Sequence, residues 1–282
     1  MSAEPEPQGP PIGIYEKALA PGTWLEMLTA AGRAGYSFVE ISVDETEGRL
    51  RRLEWDSAQR DELRNAVRQT GVRVPTLCLS AHRRFGLGSG DPETLATARR
   101  IAAQAVELAD AVGVRVIQVA GYFAYYEQAD PGARGRFVAE MSRFAQLAGR
   151  YGVMLALENI DTADVGSVRD ACQIADEVDS QWFGIYPDVG NIVVNGHDVA
   201  SDLRAIGSRA VGIHLKDARL GEPRRVPFGT GSVPFPLVFS TLQELAYRGP
   251  FMIEMWNDDP ATAEATAADA LTWIRAQMAE AA

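Results

Sequence analysis

Four short stretches of the sequence each carry one residue that could bind a metal ion or transfer a proton. In each stretch this residue stands where an apolar, strand-like run gives way to loop residues. Carboxylate oxygens combined with one imidazole suit Mn, Mg, Zn or Co. Gathered in space, the four side chains would bind one divalent metal ion, whose identity the ligand types leave open. We call these residues the ligand set: Glu158, Asp188, His214 and Glu254.

Length and composition limit the kind of protein that this chain can be. With 282 residues, 46% of them hydrophobic, the chain can bury a large core in one or two domains. Its formal net charge of -11 would repel nucleic acid and anionic membrane surfaces. No apolar stretch approaches the roughly 20 residues that a membrane span needs. We therefore expect a cytoplasmic protein with no nucleic-acid partner and no membrane association.

The N-terminal residues and the cysteines agree with that expectation. Residues 1–10 are rich in proline and lack an apolar run, which predicts a disordered N-terminal tail rather than a secretory signal. The two cysteines, Cys78 and Cys172, are too few for a disulfide framework or a cysteine-rich metal site. Both features are typical of a protein in a reducing compartment.

Hydrophobic periodicity predicts eight strand-then-helix units over residues 11–282. The strands are near-continuous runs of Val, Ile and Leu, as in a parallel sheet that is covered on both faces. Eight such units in roughly 250 residues indicate an α/β fold, a closed (β/α)8 TIM barrel in a single domain. A doubly wound open sheet is the rival, but the regular repeat and the lack of a glycine-rich phosphate loop after the first strand weigh against it. The predicted strands are 11–16, 38–44, 72–81, 114–121, 153–160, 183–188, 210–217 and 251–256.

Two helix boundaries carry capping signals. Thr23 and Glu26 have the spacing of a capping box at the start of the first helix. Ser57 is the candidate N-cap of a helix over 57–70 that ends at Gly71.

The predicted barrel brings the ligand set together. In such barrels the working residues lie at the C-terminal ends of the strands, and the ligand set falls at the ends of predicted strands five, six, seven and eight. Taken singly, each residue would more often be a surface carboxylate or a hydrogen-bonded histidine. Four residues at equivalent positions on consecutive strands favour a metal site.

Longer motifs run through almost the whole chain after the tail. With them the chain resembles the xylose-isomerase-like barrel superfamily of sugar isomerases and epimerases, and within it the L-ribulose-5-phosphate 3-epimerases. Departures from the family pattern lie around residues 159–165 and 191–196. The motifs are Ser80-Ala-His-Arg-Arg-Phe85 and Ile253-Glu-Met-Trp256, which are the more specific, and Gly13-Ile-Tyr-Glu-Lys-Ala-Leu19, Phe38-Val-Glu-Ile-Ser-Val-Asp-Glu45, Val116-Ile-Gln-Val-Ala-Gly-Tyr122, Tyr186-Pro-Asp-Val-Gly-Asn191, His214-Leu-Lys-Asp217 and Val226-Pro-Phe-Gly-Thr-Gly231.

The resemblance implies a metal-dependent epimerase that inverts carbon 3 of a ketopentose phosphate, interconverting L-ribulose 5-phosphate and L-xylulose 5-phosphate. It also implies that the ligand set holds the metal ion and that Glu158 and Glu254 exchange protons with the substrate. This chemistry needs one group that removes a proton from one face of the carbon and another that returns a proton to the opposite face. Two carboxylates can share that task.

Four further residues are candidate substrate contacts. His82 resembles a family histidine that could hydrogen-bond a substrate hydroxyl, with a capping or packing role as the alternative. Lys216 points to the same face as His214 in an extended strand, so it could reach a sugar oxygen or the phosphate, or pair with a carboxylate. Glu40 could accept hydrogen bonds from substrate hydroxyls, and Arg83 could bind the phosphate.

The phosphate of such a substrate needs an anion site, and the sequence offers two places for it. One is the pair Arg83 and Arg84 after strand three. The other is the loop after strand seven, where three arginines precede glycines whose backbone N–H groups could approach a phosphate. The residues of this second place are Arg219, Arg224, Arg225 and Phe228-Gly-Thr-Gly-Ser232.

Other functions remain open. A 3-epimerase or isomerase of free ketoses would use the same ligand set, as would a metal-dependent polyol dehydratase, and a non-catalytic sugar-binding module is the alternative of a different class. A zinc endonuclease of the same superfamily would need more than the three histidines present and a basic groove. We expect a small-molecule sugar phosphate as the partner, and the sequence leaves open whether the chain forms a homo-oligomer.

Overall fold

The computed structural model describes residues 9–128 and 130–281. Residues 1–8, most of the predicted tail, lie outside this range. None of the described helices combines the length and the apolarity needed to cross a membrane.

Within the described residues, eight short parallel strands form a single sheet in the order β6-β5-β4-β3-β2-β1-β8-β7. Isolated parallel bridges join Ile185 to Ala210 and Asp188 to His214, and these close the sheet between β6 and β7. The predicted TIM barrel is therefore confirmed. The strands are β1 (Ile12–Tyr15), β2 (Phe38–Val43), β3 (Arg73–Leu79), β4 (Val116–Ala120), β5 (Met154–Glu158), β6 (Phe183–Ile185), β7 (Ile213–Leu215) and β8 (Phe251–Ile253).

Helices cover the outside of the barrel and occupy several loops at its C-terminal mouth. Short 3-10 turns span Glu16–Ala18, Arg51–Glu54 and Ala81–Arg83. The α-helices of the described residues are α1 (Trp24–Arg33), α2 (Glu47–Leu50), α3 (Ser57–Thr70), α4 (Pro92–Val112), α5 (Ala133–Arg150), α6 (Val168–Val178), α7 (Val189–Val194), α8 (Val199–Leu203), α9 (Phe235–Glu244) and α10 (Ala263–Glu280).

The capping predictions are confirmed at α1 and corrected by one residue at α3. Thr23 and Glu26 form the capping box that their spacing predicts. At α3 the N-cap is Asp56 rather than Ser57, because Asp56 has an extended backbone and its side chain accepts a hydrogen bond from the Gln59 N–H. Gly71 ends α3 with a φ of 73°, a left-handed conformation that favours glycine.

Two apolar clusters form the core. The larger lies between the sheet and the helices, and the smaller fills the inside of the barrel. Successive residues of a strand face opposite sides, so inward positions recur every second residue. On β5, directly after β6 and on β8, a residue of the smaller cluster stands two positions before a member of the ligand set, so the ligand set lies above apolar side chains. The smaller cluster consists of Tyr15, Phe38, Cys78, Ala156, Tyr186 and Met252.

Candidate active site

The ligand set converges at the C-terminal mouth of the barrel. Glu158 ends β5, Asp188 follows β6, His214 is the central residue of β7 and Glu254 directly follows β8. One ligand atom from each residue lies within 4.8 Å of the others. Asp188 and His214 are fully buried, and Glu158 is 7% exposed. The grouping that the sequence predicts is present, and its chemical role is argued below.

Asp188 is held by the start of α7. Its Oδ1 accepts a hydrogen bond from the Asn191 N–H at 3.0 Å, as an N-cap residue does. Its backbone is tied on both sides to the Asn159 side chain, which accepts from the Asp188 N–H at 2.8 Å and donates to the Asp188 carbonyl at 3.0 Å. Asp188 is thus held by the first turn of α7 and by the loop after β5 rather than by a strand.

Glu158 and His214 contact each other. Glu158 Oε1 lies 2.8 Å from His214 Nδ1, while Glu158 Oε2 accepts a hydrogen bond from Gln118 Nε2 at 2.5 Å. The Tyr186 ring packs edge-on against the imidazole, with 4.5 Å between the ring centroids. Gly212 leaves room for that ring, because a Cβ at this position would lie 2.5 Å from Tyr186 Cζ.

Lys216 adds a buried positive charge beside the ligand set. Its Nζ lies 2.6 Å from Asp188 Oδ2 and 3.3 Å from Glu254 Oε2, and it donates a hydrogen bond to Asn191 Oδ1 at 2.8 Å. The ion pair that the sequence offered as one alternative is therefore present. Lys216 also lines the pocket above the ligand set.

The two candidate proton-transfer carboxylates differ in proton affinity. Burial raises the pKa of Glu158, and the nearby His214 only partly offsets this effect. Burial acts in the same direction on Glu254, but Lys216 and His214 outweigh it and lower the pKa of Glu254. Environments that separate the pKa values of two carboxylates are typical of acid–base pairs.

The pKa shifts of Asp188 and Lys216 disagree on whether the two residues form a charged pair. Burial raises the pKa of Asp188 although Lys216 lies beside it, which favours a neutral acid. The pKa of Lys216 is also raised, because Asp188 and Glu254 outweigh the effect of burial, and this favours an ammonium ion. The 2.6 Å distance between Lys216 Nζ and Asp188 Oδ2 favours a charged pair, since a buried ammonium needs a carboxylate partner.

A pocket of 220 Å³ opens above the ligand set, and two arginines stand at its edge. Arg83 and Arg224 each place a guanidinium nitrogen 3.3 Å from Tyr122 Oη. Arg224 also pairs with Asp161 at 2.8 Å, and Arg83 stacks over the rings of Tyr122 and Tyr125. The pocket therefore combines acidic ligands at its base with fixed cations at its edge.

The structure corrects the prediction for His82. Its ring is fully buried, away from the pocket, and Nε2 lies 3.1 Å from the Ala98 carbonyl of α4. Phe144 of α5 packs against the ring edge-on. His82 belongs to the 3-10 turn after β3, which directs its side chain toward the outer helices, so the packing alternative describes this residue.

The prediction for Glu40 is also corrected. Glu40 is fully buried inside the barrel and is absent from the pocket lining, so it is not placed to meet substrate hydroxyls. Its Oε1 instead lies 3.3 Å from His214 Nε2. Arg83, by contrast, lines the pocket as the predicted role requires.

The glycine loop after β7 is not available to a phosphate. The N–H groups of Gly229 and Gly231 both donate to Asp217 Oδ2 at 2.9 Å. Arg219 pairs with Glu222. Arg225 pairs with Asp258 outside the pocket, so Arg224 is the arginine of this loop that reaches the pocket.

Sequence reasoning missed two residues that hold the ligand set in place, Gln118 and Asn159. Gln118 could have been found from the sequence, because it is a polar residue in the middle of the apolar run Val116–Ala120. Its position in that run also predicts a side chain that faces the inside of the barrel. Asn159 had none, since it follows Glu158 directly and resembles an ordinary loop residue.

The residues of the ligand set fit a divalent cation. Three carboxylates and one imidazole are the ligand types that such ions prefer. Asp188 Oδ2 and Glu254 Oε2 are buried and face the Lys216 ammonium, but accept no well-directed hydrogen bond from the described residues. These are oxygen atoms with lone pairs free for a metal ion.

Comparison with known proteins agrees with this geometry. The family model described as xylose isomerase-like TIM barrel matches residues 28–277. The chain belongs to the xylose isomerase-like TIM barrel family. It is 45% identical over 272 residues, 96% of each chain, to L-ribulose-5-phosphate 3-epimerase UlaE of Salmonella paratyphi A, and 44% identical over the same shares to that of Escherichia coli. Relatives this similar make this family member an enzyme of the isomerase class.

Solved structures of other sugar epimerases share the fold at low sequence identity. A D-allulose 3-epimerase from Methylomonas sp. has a TM-score of 0.80 at 21% identity, with 96% of this chain and 98% of the other covered. A structure described as L-ribulose 3-epimerase has a TM-score of 0.81 at 18% identity, covering 96% and 95%. At these identities the likeness supports the barrel fold alone.

Proposed function

We propose that this family member is a metal-dependent epimerase that inverts carbon 3 of ketopentose phosphates, interconverting L-ribulose 5-phosphate and L-xylulose 5-phosphate. The observation that carries the proposal is the ligand set, gathered within 4.8 Å beneath a pocket with two arginines at its edge. The names of the 44–45% identical relatives support the same substrate.

The ligand set would hold one divalent ion, with Mn, Mg, Zn and Co as candidates. When bound, such an ion supplies a Lewis acid that polarises the ketose carbonyl and stabilises negative charge on its oxygen. Contacts with other groups of the chain support this role, because they restrain three of the four side chains. Gln118 holds Glu158, Asn159 and Asn191 hold Asp188, and Lys216 lies beside Glu254.

Glu158 and Glu254 move the protons. They stand on β5 and after β8, which are separate parts of the rim, so they approach a sugar in the pocket from different directions. One carboxylate removes the proton from carbon 3, and the other, in its acid form, returns a proton to the opposite face. The two exchange roles in the reverse reaction. Lys216 favours the ionised form of Glu254, which suits this residue to begin as the base.

Arg83 and Arg224 hold the phosphate. Guanidinium groups bind phosphate through paired, charge-assisted hydrogen bonds. Both groups converge on Tyr122 Oη at the edge of the pocket, while the ligand set lies at its base. A pentulose phosphate can therefore extend from the ligand set to the arginines.

The test is exchange of the carbon-3 proton with solvent. In D2O with a loading metal, the wild-type protein is expected to incorporate deuterium at carbon 3 of L-ribulose 5-phosphate, measured by NMR. Glu158→Gln and Glu254→Gln each remove one proton-transfer group, so each should abolish epimerisation and strongly reduce exchange, with metal content measured in parallel because both residues belong to the ligand set. Glu47→Gln, an exposed carboxylate on α2, serves as the control and should exchange normally. Full exchange in both ligand-set variants would refute the proposed mechanism.

A further inference from the structure

Glu40 is a buried carboxylate that the proposed mechanism leaves without a task. It lies on β2 and faces the inside of the barrel, two residues after Phe38 of the smaller cluster. Its exposure is 0%, and neither oxygen accepts a well-directed hydrogen bond within the described residues. Burying an unpaired carboxylate costs several kcal/mol in real proteins. Its position therefore calls for a partner that can supply a proton or a positive charge.

The partner in reach is the imidazole of His214. Glu40 Oε1 lies 3.3 Å from His214 Nε2. The other ring nitrogen, Nδ1, faces the ligand set, at 2.8 Å from Glu158 Oε1 and 3.8 Å from Glu254 Oε2. The ring thus has its two nitrogens directed at two different groups of carboxylates.

This arrangement matters because a neutral imidazole has one N–H donor and one lone pair. A metal ion bound by the ligand set needs the lone pair on Nδ1, which leaves the proton on Nε2, facing Glu40. A carboxylate behind a metal-binding histidine fixes the tautomer and the ring orientation, and makes the other nitrogen a stronger ligand.

We propose that Glu40 is a positioning residue that accepts the Nε2–H of His214 and thereby fixes the Nδ1 lone pair toward the metal ion. The inference rests on the proposed metal site and extends it to a residue beneath the ligand set. Glu40 faces the Nε2 side of the His214 ring from inside the barrel, while Tyr186 packs edge-on against the same ring and limits its rotation.

Metal affinity is the first test. Zinc affinity, measured by competition with a chromophoric chelator, should fall by roughly 10- to 100-fold in Glu40→Leu, which keeps the volume but removes the acceptor. Glu40→Gln keeps a carbonyl acceptor without the charge and should recover most of that loss.

Thr76→Val is the matched control for this test. Thr76 pairs with Glu40 in the β2–β3 register, is 3% exposed and has an Oγ1 without a hydrogen-bond partner in the described residues. Removing its hydroxyl should leave zinc affinity unchanged, which separates an effect on His214 from a general disturbance of the barrel interior.

The histidine tautomer is the second test, and it needs no activity and no Glu40 variant. The chain has three histidines, so imidazole 15N–1H correlations of the zinc-loaded protein can be assigned with single His variants. The expected signature of His214 is a protonated Nε2 and an unprotonated Nδ1. A protonated Nδ1 would overturn the inference, even where Glu40→Leu fails to fold.

The outcomes also separate this inference from the proposed function. A wild-type protein that binds no divalent ion overturns both. Zinc binding in the wild type with the same affinity in Glu40→Leu overturns the role of Glu40 alone.

Discussion

Arg83 and Arg84 are adjacent in the sequence but have different surroundings in the barrel. Arg83 lines the pocket and is stacked on two tyrosine rings. Arg84 is half exposed and pairs with Glu47 on α2 at 3.4 Å. An ion pair at such an exposed site contributes little to the stability of the fold. The two arginines therefore provide a matched comparison for the phosphate site.

Arg83→Ala should raise KM for L-ribulose 5-phosphate by roughly 10- to 100-fold, because a hydrogen bond to a charged group contributes about 1.5–3 kcal/mol. The value of kcat should change much less, since the proposed role of Arg83 is to bind the phosphate rather than to transfer the proton. Arg84→Ala should leave KM within about twofold of wild type. Steady-state kinetics of both variants make the comparison, and equal changes in the two would place the phosphate elsewhere.

The sequence predicts which residue types gather at the mouth, but not how neighbouring side chains are directed. Glu158 and Glu254 are predictable because strand ends in a barrel share one rim. His82 and Arg83 are consecutive, and only the 3-10 turn Ala81–Arg83 sends the first toward the helices and the second into the pocket. A turn of three residues is too short to be predicted from hydrophobic periodicity in the sequence.

The turn after β3 is anchored to the outer helices through His82. The His82 ring lies between the Ala98 carbonyl of α4 and the Phe144 ring of α5. Burial lowers the pKa of His82 to about 4, so the neutral ring is the form that the folded protein holds. The turn that carries Arg83 is therefore sensitive to acid.

This anchoring predicts a pH dependence of stability. In the unfolded chain His82 takes up a proton near pH 6.5, whereas in the folded protein it does so only near pH 4, so the unfolded state binds more protons between these values. The stabilisation is complete above pH 6.5 and is lost as the pH falls toward 4, by about 2 kcal/mol between pH 7 and pH 5.

Urea unfolding of wild type and His82→Gln at pH 7 and pH 5 measures this loss. Gln keeps a donor for the Ala98 carbonyl but does not titrate, so the loss of stability on acidification should be about 2 kcal/mol smaller in the variant. An equal loss in both proteins would show that His82 is not the titrating group.

The eight strands were predictable in number and order, but their ends and the short helices α2 and α7 were not. All eight strands fall within predicted runs, yet β6, β7 and β8 have three residues each, shorter than the apolar runs that contain them. The short helix α7 after β6 was not predicted. The Asp188 side chain caps its first turn by accepting a hydrogen bond from the Asn191 N–H, a local interaction that the apolar run around Ile192 does not reveal.

Four carboxylates lie close together at the mouth of the barrel, where a cation would offset their mutual repulsion. The three carboxylates of the ligand set meet there, with Glu158 and Asp188 buried and Glu254 partly buried, and Glu40 is fully buried beside His214. Lys216 is the buried ammonium that faces them among the described residues. A divalent ion would compensate the remaining repulsion, so metal binding should stabilise the fold as well as enable catalysis.

Thermal unfolding tests this coupling. A ligand at about 100 times its Kd stabilises the folded state by about 2.7 kcal/mol, which for a chain of this length raises Tm by roughly 5–10 °C. Manganese should produce such a shift in the wild type, and a chelator should reverse it. Asp188→Asn removes one charged ligand and should abolish most of the shift. Asp61→Asn, an exposed carboxylate on α3 paired with Arg64, should retain the full shift, so an equal response in the two variants would mean that manganese binds outside the ligand set.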